Sequence, residues 1–407
     1  MIRALLSILA LGVIGSAASG ATLEELTAEA LRNNPELQVF EQSVAAAKGG
    51  VRTARTLSNP ELTFAPGMRQ TRESNASARE FHGELSLSQL FKFPGKRALE
   101  IAIAQRNVDL AQIALEGFRF QLAAKVRRAF YDGLAAEQIA ETRRQQVAAA
   151  ETFVESAKKR VEAGYASDFE TVKSQAEFIA ANKALRQAQI QINTARVTLN
   201  TLMGRSPSSP IKLNGALENV QPRGSRSDFI ALAMARNPAI RTQSRQVEIA
   251  GLNLRSTRFG RRPDFAIGPS IEYLQNEQTY GLSATLALPL WDQKQGAIDT
   301  ATAEQKKAAG ELEKTRAEIA AEVTNAAANL ESSKRQLAFY SPAFLDQLKA
   351  VMAQAEQGYA QNTTTLLIYL DAKRTYFDTL ADYYDSLAKV AESRADLEAA
   401  VGVPLEL

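Results

Sequence analysis

The chain has no cysteine and a single histidine, His82, in 407 residues. The first absence removes disulfides, a thiol nucleophile and an anchoring lipidated cysteine at once. With no His, Cys or Met cluster at ligand spacing, the chain also lacks a metal site, so a metal handled by it would not be selected by coordination. No segment holds ~20 consecutive apolar residues, so any membrane crossing must be made of strands. Charge of one sign is scarce too: the net value of +3 points neither to nucleic acid nor to an acidic partner. Arg255, Arg258, Arg261 and Arg262 do gather, and they read as a solvated helix end whose cations face the last carbonyls. Pro94-Gly95-Lys96-Arg97 lacks the Gly-x-x-x-x-Gly-Lys frame of a phosphate loop. With His82 read as a lone surface ring and the helical acids as solvated faces, no enzyme and no cofactor is expected.

What is present begins with a leader. Met1-Ile2-Arg3 carries charge ahead of the apolar run from Ala4 to Ile14, and small residues follow from Ser16 to Ala21. This is a secretory signal peptide over residues 1–21, with cleavage after Ala18, Gly20 or Ala21. Beyond it the sequence repeats itself at about half its length. Asn34-Pro35 returns as Asn237-Pro238, Arg55 as Arg258, Pro60 as Pro263, Gly164-Tyr165 as Gly358-Tyr359, and Gly204 as Gly402. The period is far too long for a solenoid. Residues 22–224 and 225–407 are thus expected to be two copies of one unit.

The first copy opens on a capping box, Thr22 to Glu25, and the second opens at Ser225 to Asp228; each continues helical to a proline that forces extension, Pro60 or Pro263. The period then becomes two. Strands are expected at about 61–70 and 81–93, and again at about 264–274 and 279–290, where Tyr280, Leu282, Leu286, Leu288 and Leu290 alternate with small or polar residues. Ala-rich, polar-faced helices offer these strands no apolar cover, and strands of ~9–12 residues suit a tilted membrane crossing. Four strands cannot close a barrel, so other chains must complete it. A conducting lumen favours three or more chains over two.

From Pro94 to about Glu162 there is no proline, and from Gly296 to Gln357 only Pro342, so helices of ~60 residues and ~90 Å are expected. Leu312, Ile319, Val323, Leu330 and Leu337 set a coiled-coil seam in the second. Gly164 reads as a left-handed C-cap followed by a capping box from Ser167 to Glu170, with the tip at 163–167. Gly358, followed by Asn362 or Thr363, is read the same way at 357–362, without the Glu. Such tips would be a docking surface for a partner's helices, with Gly164, Tyr165, Ser167, Gly358 and Tyr359 as its residues.

The repeated Asn-Pro helices, Leu87-Ser88-Gln89-Leu90-Phe91 running into Phe93-Pro94-Gly95-Lys96-Arg97, Leu288-Pro289-Leu290-Trp291-Asp292, the Gly-Tyr tips and Leu370-Asp371-Ala372-Lys373-Arg374 together resemble the TolC-type outer-membrane factors, in particular their heavy-metal-efflux (CzcC-like) branch. The resemblance covers essentially the whole mature chain. It implies a mainly α chain with a transmembrane β-barrel: a homotrimer with a twelve-stranded barrel in outer-membrane lipid, a coiled-coil α-barrel tunnel reaching into the periplasm, and a belt near Arg205 to Arg226. It implies as partners a periplasmic adaptor (membrane fusion) protein and a proton-driven inner-membrane pump, the chain being their passive exit channel. It implies a periplasmic gate at Asp371, with Ile368 where a second acid can stand. The cargo would be metal cations; drugs, dyes or a secreted protein remain open, as does a soluble periplasmic coiled-coil scaffold.

Overall fold

The computed structural model describes residues 20–405 apart from 74–75, 218–221 and 275–276, so the leader core lies outside the described residues. Ala21, at the end of the expected leader, pairs with Leu213, its N–H bonded to the carbonyl of Lys212 at 2.8 Å. The capping box expected at Thr22 forms, and the second repeat opens on one as well. Thr22 opens α1 (Leu23–Asn33) and Ser225 opens α5 (Arg226–Arg236), each with the acid three residues on bonded back to the cap.

The second helix of each half shows why Asn-Pro occurs twice. In α2 (Pro35–Arg55) and α6 (Pro238–Phe259) proline takes the first turn, where no N–H is needed. The preceding asparagine works in two directions. Asn34 accepts from the N–H of Glu36 and donates to the carbonyl of Leu202, both at 2.9 Å. Asn237 accepts from Ala239 at 2.8 Å and donates to Ala400 at 2.9 Å. The two acceptors lie at the ends of α4 (Asp168–Leu202) and α9 (Leu366–Val401), just before Gly204 and Gly402 at φ +69° and +84°. A Cβ on Gly204 would lie 2.6 Å from the Asn33 carbonyl oxygen, and one on Gly402 2.6 Å from Pro238. Sequence landmarks far apart in the chain thus meet as two similar joints.

The first long helix, α3 (Lys96–Glu162), runs 67 residues, about 100 Å. Its counterpart is broken. Pro342 and the cap Ser341 divide it into α7 (Gln295–Leu337) and α8 (Pro342–Ala360), in place of one continuous rod. The seam holds: Ile319, Val323, Leu330 and Leu337 are buried in one cluster with Leu387, Val390 and Leu397 of α9, and Leu312 packs at its edge. A matching cluster joins α1 to α3 and α4 through Leu26, Leu122, Val126 and Leu199. Not every helical acid is solvated, as the sequence suggested. Glu398 is 1% exposed and pairs with Arg127 of α3 and with Arg394 at 3.2 Å.

At the far end stands one antiparallel sheet in the order β1 (Glu61–Glu73), β2 (Ala76–Phe91), β3 (Phe265–Leu274), β4 (Glu277–Leu286). Its register sets Leu62 opposite Leu87 and Phe64 opposite Leu85, then Leu85 opposite Ile271 and Phe91 opposite Phe265, then Ile271 opposite Tyr280 and Phe265 opposite Leu286. Since opposed residues share a face, all of these apolar side chains point one way. They are exposed there, Phe64 by 68% and Leu282 by 72%. β2 begins earlier than expected and β4 stops earlier, leaving Leu288 and Leu290 outside the ladder, where Pro289 has no N–H to give. At Gly268 a Cβ would fall 1.6 Å from the carbonyl oxygen of Leu87, so only glycine admits this crossing of β2 and β3. His82 lies on the polar face, half-buried, 3.6 Å from Glu272, and is not a free surface ring. Among the described residues no helix is long and apolar enough to cross a membrane.

Glu398→Ala leaves Arg127 and Arg394 facing each other without their acid. Loss of about 3–5 kcal/mol is expected, read as a large fall in the unfolding midpoint of the detergent-solubilised protein. A shift within error would place the pair outside the core's stability.

Candidate functional site at the hairpin tips

α3 passes through Ala163 into Gly164 at φ +75°, and α4 starts after Ser167. Gly164 is the left-handed residue the sequence indicated. The capping box that should follow is not made: the Ser167 hydroxyl makes no cap bond, and the N–H of Glu170 bonds to the Ser167 carbonyl at 2.9 Å. The Glu170 carboxylate is engaged elsewhere. It accepts from the hydroxyl of Tyr359 at 2.6 Å and lies 3.8 Å from Arg160. A carboxylate gains more from a phenolic donor and a nearby cation than from one more backbone N–H.

The second tip departs further from expectation. α8 continues through Gly358 to Ala360, and the left-handed residue is Asn362 at φ +57°. Gly358 is needed for another reason. A Cβ there would meet the Thr364 hydroxyl at 2.3 Å, while its carbonyl accepts from the N–H of Thr363 at 2.8 Å and of Thr364 at 3.1 Å. Thr365 then caps α9, its hydroxyl accepting from Ile368.

The two Gly-Tyr pairs therefore end in opposite places. Tyr165 is 77% exposed, as a docking residue should be, but Tyr359 is 7% exposed. Its ring stacks on Tyr369 at 5.1 Å, meets the edge of Phe153 of α3, and lies under the guanidinium of Arg160 at 4.7 Å. Arg160 also donates to Asn362 at 2.7 Å. Burial, with Glu170 beside it, pushes the Tyr359 phenol far above its ordinary value, so it stays protonated and donates. Residues of both hairpins thus form one latch. Lys373 closes its inner side, 3.3 Å from the Tyr369 hydroxyl and near the Phe153 ring; burial brings its ammonium down to about 8, against the pull of Glu356 and Glu177. Sequence reading missed Arg160 and Lys373 as site residues and took Glu170 only for a cap. The signal available was Glu170 itself, an acid beside a glycine tip.

Ile368 and Asp371 lie three residues apart on the exposed side of α9, away from the latch, Ile368 55% exposed beside Leu367 at 74%. Among the described residues Asp371 makes no ion pair, and no group of three or more His, Asp or Glu could hold a metal ion. Asp378, Asp382 and Asp385 continue the same face of the helix. A second unpartnered face runs along α4, where Val172, Ile179, Ile190 and Val197 are exposed near heptad spacing.

The sequence pattern of the family described as outer membrane efflux protein matches residues 26–205 and 229–403. The cobalt-zinc-cadmium resistance protein CzcC of Cupriavidus metallidurans is 24% identical over 364 residues, 89% of this chain and 85% of that protein. The nickel-cobalt-cadmium resistance protein NccC of Alcaligenes xylosoxydans xylosoxydans is 25% identical over 299 residues, covering 72% and 66%. Among solved structures, CusC, crystallised in work on folding and transmembrane channel formation, aligns with a TM-score of 0.77 at 18% identity over 96% of each chain. The outer-membrane channel OprN aligns with a TM-score of 0.80 at 15% identity, over 94% of this chain and 90% of that one. With both halves matched and the whole architecture shared, the chain belongs to the outer membrane efflux protein family, a family of outer-membrane channels.

Proposed function

We propose that three copies of this chain form one passive exit duct, each giving four strands to a twelve-stranded barrel and two helical hairpins to a periplasmic tunnel. The observation that carries this is the sheet: one face predominantly apolar and exposed, and outer edges on β1 and β4 that have no partner among the described residues. Unpaired backbone groups in lipid cost several kcal/mol each, so the edges must meet those of other copies. The exposed stripe of α4 supports the same assembly in the helical part. The two repeats, 22–224 and 225–407, would then stand as six similar units around one axis.

The partners follow from the tips. A periplasmic adaptor would seat its hairpins against Gly164, Tyr165 and Ser167 and around Gly358, with a proton-driven inner-membrane pump behind it. Tyr359 belongs to the latch and not to the docking surface. The cargo we infer is metal cations, since two relatives are named for resistance to cobalt, cadmium, zinc or nickel. Asp371, exposed and without an ion pair among the described residues, suits cations, three such carboxylates near an axis attracting positive charge. Ile368 would add an apolar constriction next to that ring.

Chemical crosslinking in cells, followed by purification and identification of the attached proteins, tests the assembly. A trimer carrying an adaptor and a metal pump is expected, and a monomer recovered in the soluble periplasm would end this reading. Gly164→Val, which strains the left-handed tip, should weaken adaptor crosslinking while the protein still reaches the outer membrane. In planar bilayers, Tyr359→Phe removes a hydrogen bond to a carboxylate, about 1.5–3 kcal/mol of latch, and should raise the open fraction of the channel. Asp371→Asn should lower cation selectivity; selectivity equal to the parent's would take Asp371 off the pore.

A further inference from the structure

The junction between sheet and helices carries positive charge that the fold leaves unused. Three acids there are each taken by a lysine: Glu100 by Lys92 at 2.6 Å, Asp264 by Lys96 at 2.9 Å and Asp292 by Lys294 at 3.1 Å. A fourth, Glu61, stands exposed at the start of β1. The arginines are left over. Among the described residues Arg97, Arg258, Arg261 and Arg262 form no ion pair. Arg255 and Arg258 are exposed, Arg258 in the last turn of α6, as a solvated helix end should be, but Arg261 and Arg262 just beyond it are held in place. Arg262 is held between two rings, its guanidinium 4.8 Å from the centres of both Phe93 and Phe259. Arg261 donates through Nε to the carbonyl of Gln293 at 2.9 Å. Those contacts fix both side chains and leave the terminal N–H groups of Arg261 unspent, a fork suited to a phosphate.

Gln293 ends the loop that follows β4, and this loop is the most exposed apolar segment at the junction. Leu288 is 61% exposed, Leu290 64% and Trp291, the one tryptophan of the chain, 89%. It continues the apolar face of the sheet past the last strand residue, at the level where the membrane must end. Tryptophan, short apolar residues and arginine at that level match the headgroup zone of a bilayer, wet on one side and oily on the other.

We propose that Arg261 and Arg262 seat the phosphate of an anionic phospholipid from the periplasmic leaflet, with its acyl chains along Leu288, Leu290 and Trp291. This rests on the barrel reading above. The occupant is a lipid and not a protein because the patch is continuous with the lipid-facing sheet and carries the opposite charge to an acidic headgroup. A zwitterionic headgroup would bring its own cation against the arginines and gain less.

Trp291 makes the test direct, since all tryptophan emission comes from this loop. The full-length protein is reconstituted in phosphatidylcholine vesicles containing a small fraction of brominated phosphatidylglycerol, or the same fraction of brominated phosphatidylcholine. Flotation with the vesicles is scored first. Stronger quenching by the brominated phosphatidylglycerol is expected, corresponding to about tenfold enrichment beside Trp291. The double variant Arg261→Gln, Arg262→Gln should float equally well and be quenched equally by the two lipids. Equal quenching of the parent by both lipids overturns the anionic seat alone and leaves the barrel standing. Flotation without quenching by either lipid overturns the seat by removing Trp291 from the bilayer. Failure to float overturns the barrel reading and the seat together.

Discussion

A four-stranded sheet that shows one face predominantly apolar and, among the described residues, leaves both outer strands unpaired cannot exist alone in water or in lipid. In water the face would be an aggregation surface, and in lipid the open edges would strand backbone donors and acceptors. Everything below the sheet is arranged around that constraint. β2 enters α3 through Pro94-Gly95, and β4 enters α7 through Asp292, whose carboxylate receives the Lys294 N–H at 2.8 Å. Strand hairpins and helical hairpins are therefore directly connected, and the position of the sheet bears on the position of the tunnel wall.

The helical body answers with joints rather than with a globular core. Each half uses the same chemistry: a proline that needs no donor, an asparagine that caps its own helix while tying down the end of another, and a left-handed glycine that the joint leaves no room to replace. Because these bonds link residues more than 160 positions apart, they fix the hairpins at the end away from the tips. The tips are held differently. There the contact is between hairpins, through Tyr359, Glu170 and Arg160, and among the described residues nothing comparable is built around Tyr165, the counterpart in the first half.

How much of this could be read in advance depends on the range of the interaction. Local patterns are legible: the box at Thr22, the helix start at Ser225, the prolines that end the second helices, the alternation of β3, and the seam from Ile319 to Leu337. Doubling of the Asn-Pro and Gly landmarks showed the duplication but not that those landmarks touch. The errors have a common form. Ser167 to Glu170 has the letters of a capping box, yet Glu170 answers a tyrosine 189 residues away, a competitor that no local window contains. Gly358 has the setting of a left-handed residue, whereas its missing side chain makes room for Thr364. Leu288 and Leu290 keep the strand rhythm beyond the point where a partner strand exists.

The break before Pro342 bears on how force would travel through the chain. An unbroken helix such as α3 carries torque along its full length, so its tip turns only if its base turns. The chain opposite it is interrupted over 338–341, where the Ser341 hydroxyl restarts the helix by accepting from Phe344 at 3.2 Å and proline withholds a donor. Twist applied at Tyr359 is absorbed at that interruption before it reaches α7. One wall of each protomer is thus a stiff strut and the other a jointed one: strain raised at the second tip is taken up at 338–341, whereas strain raised at the first passes along α3 to the start of the helix beside β2.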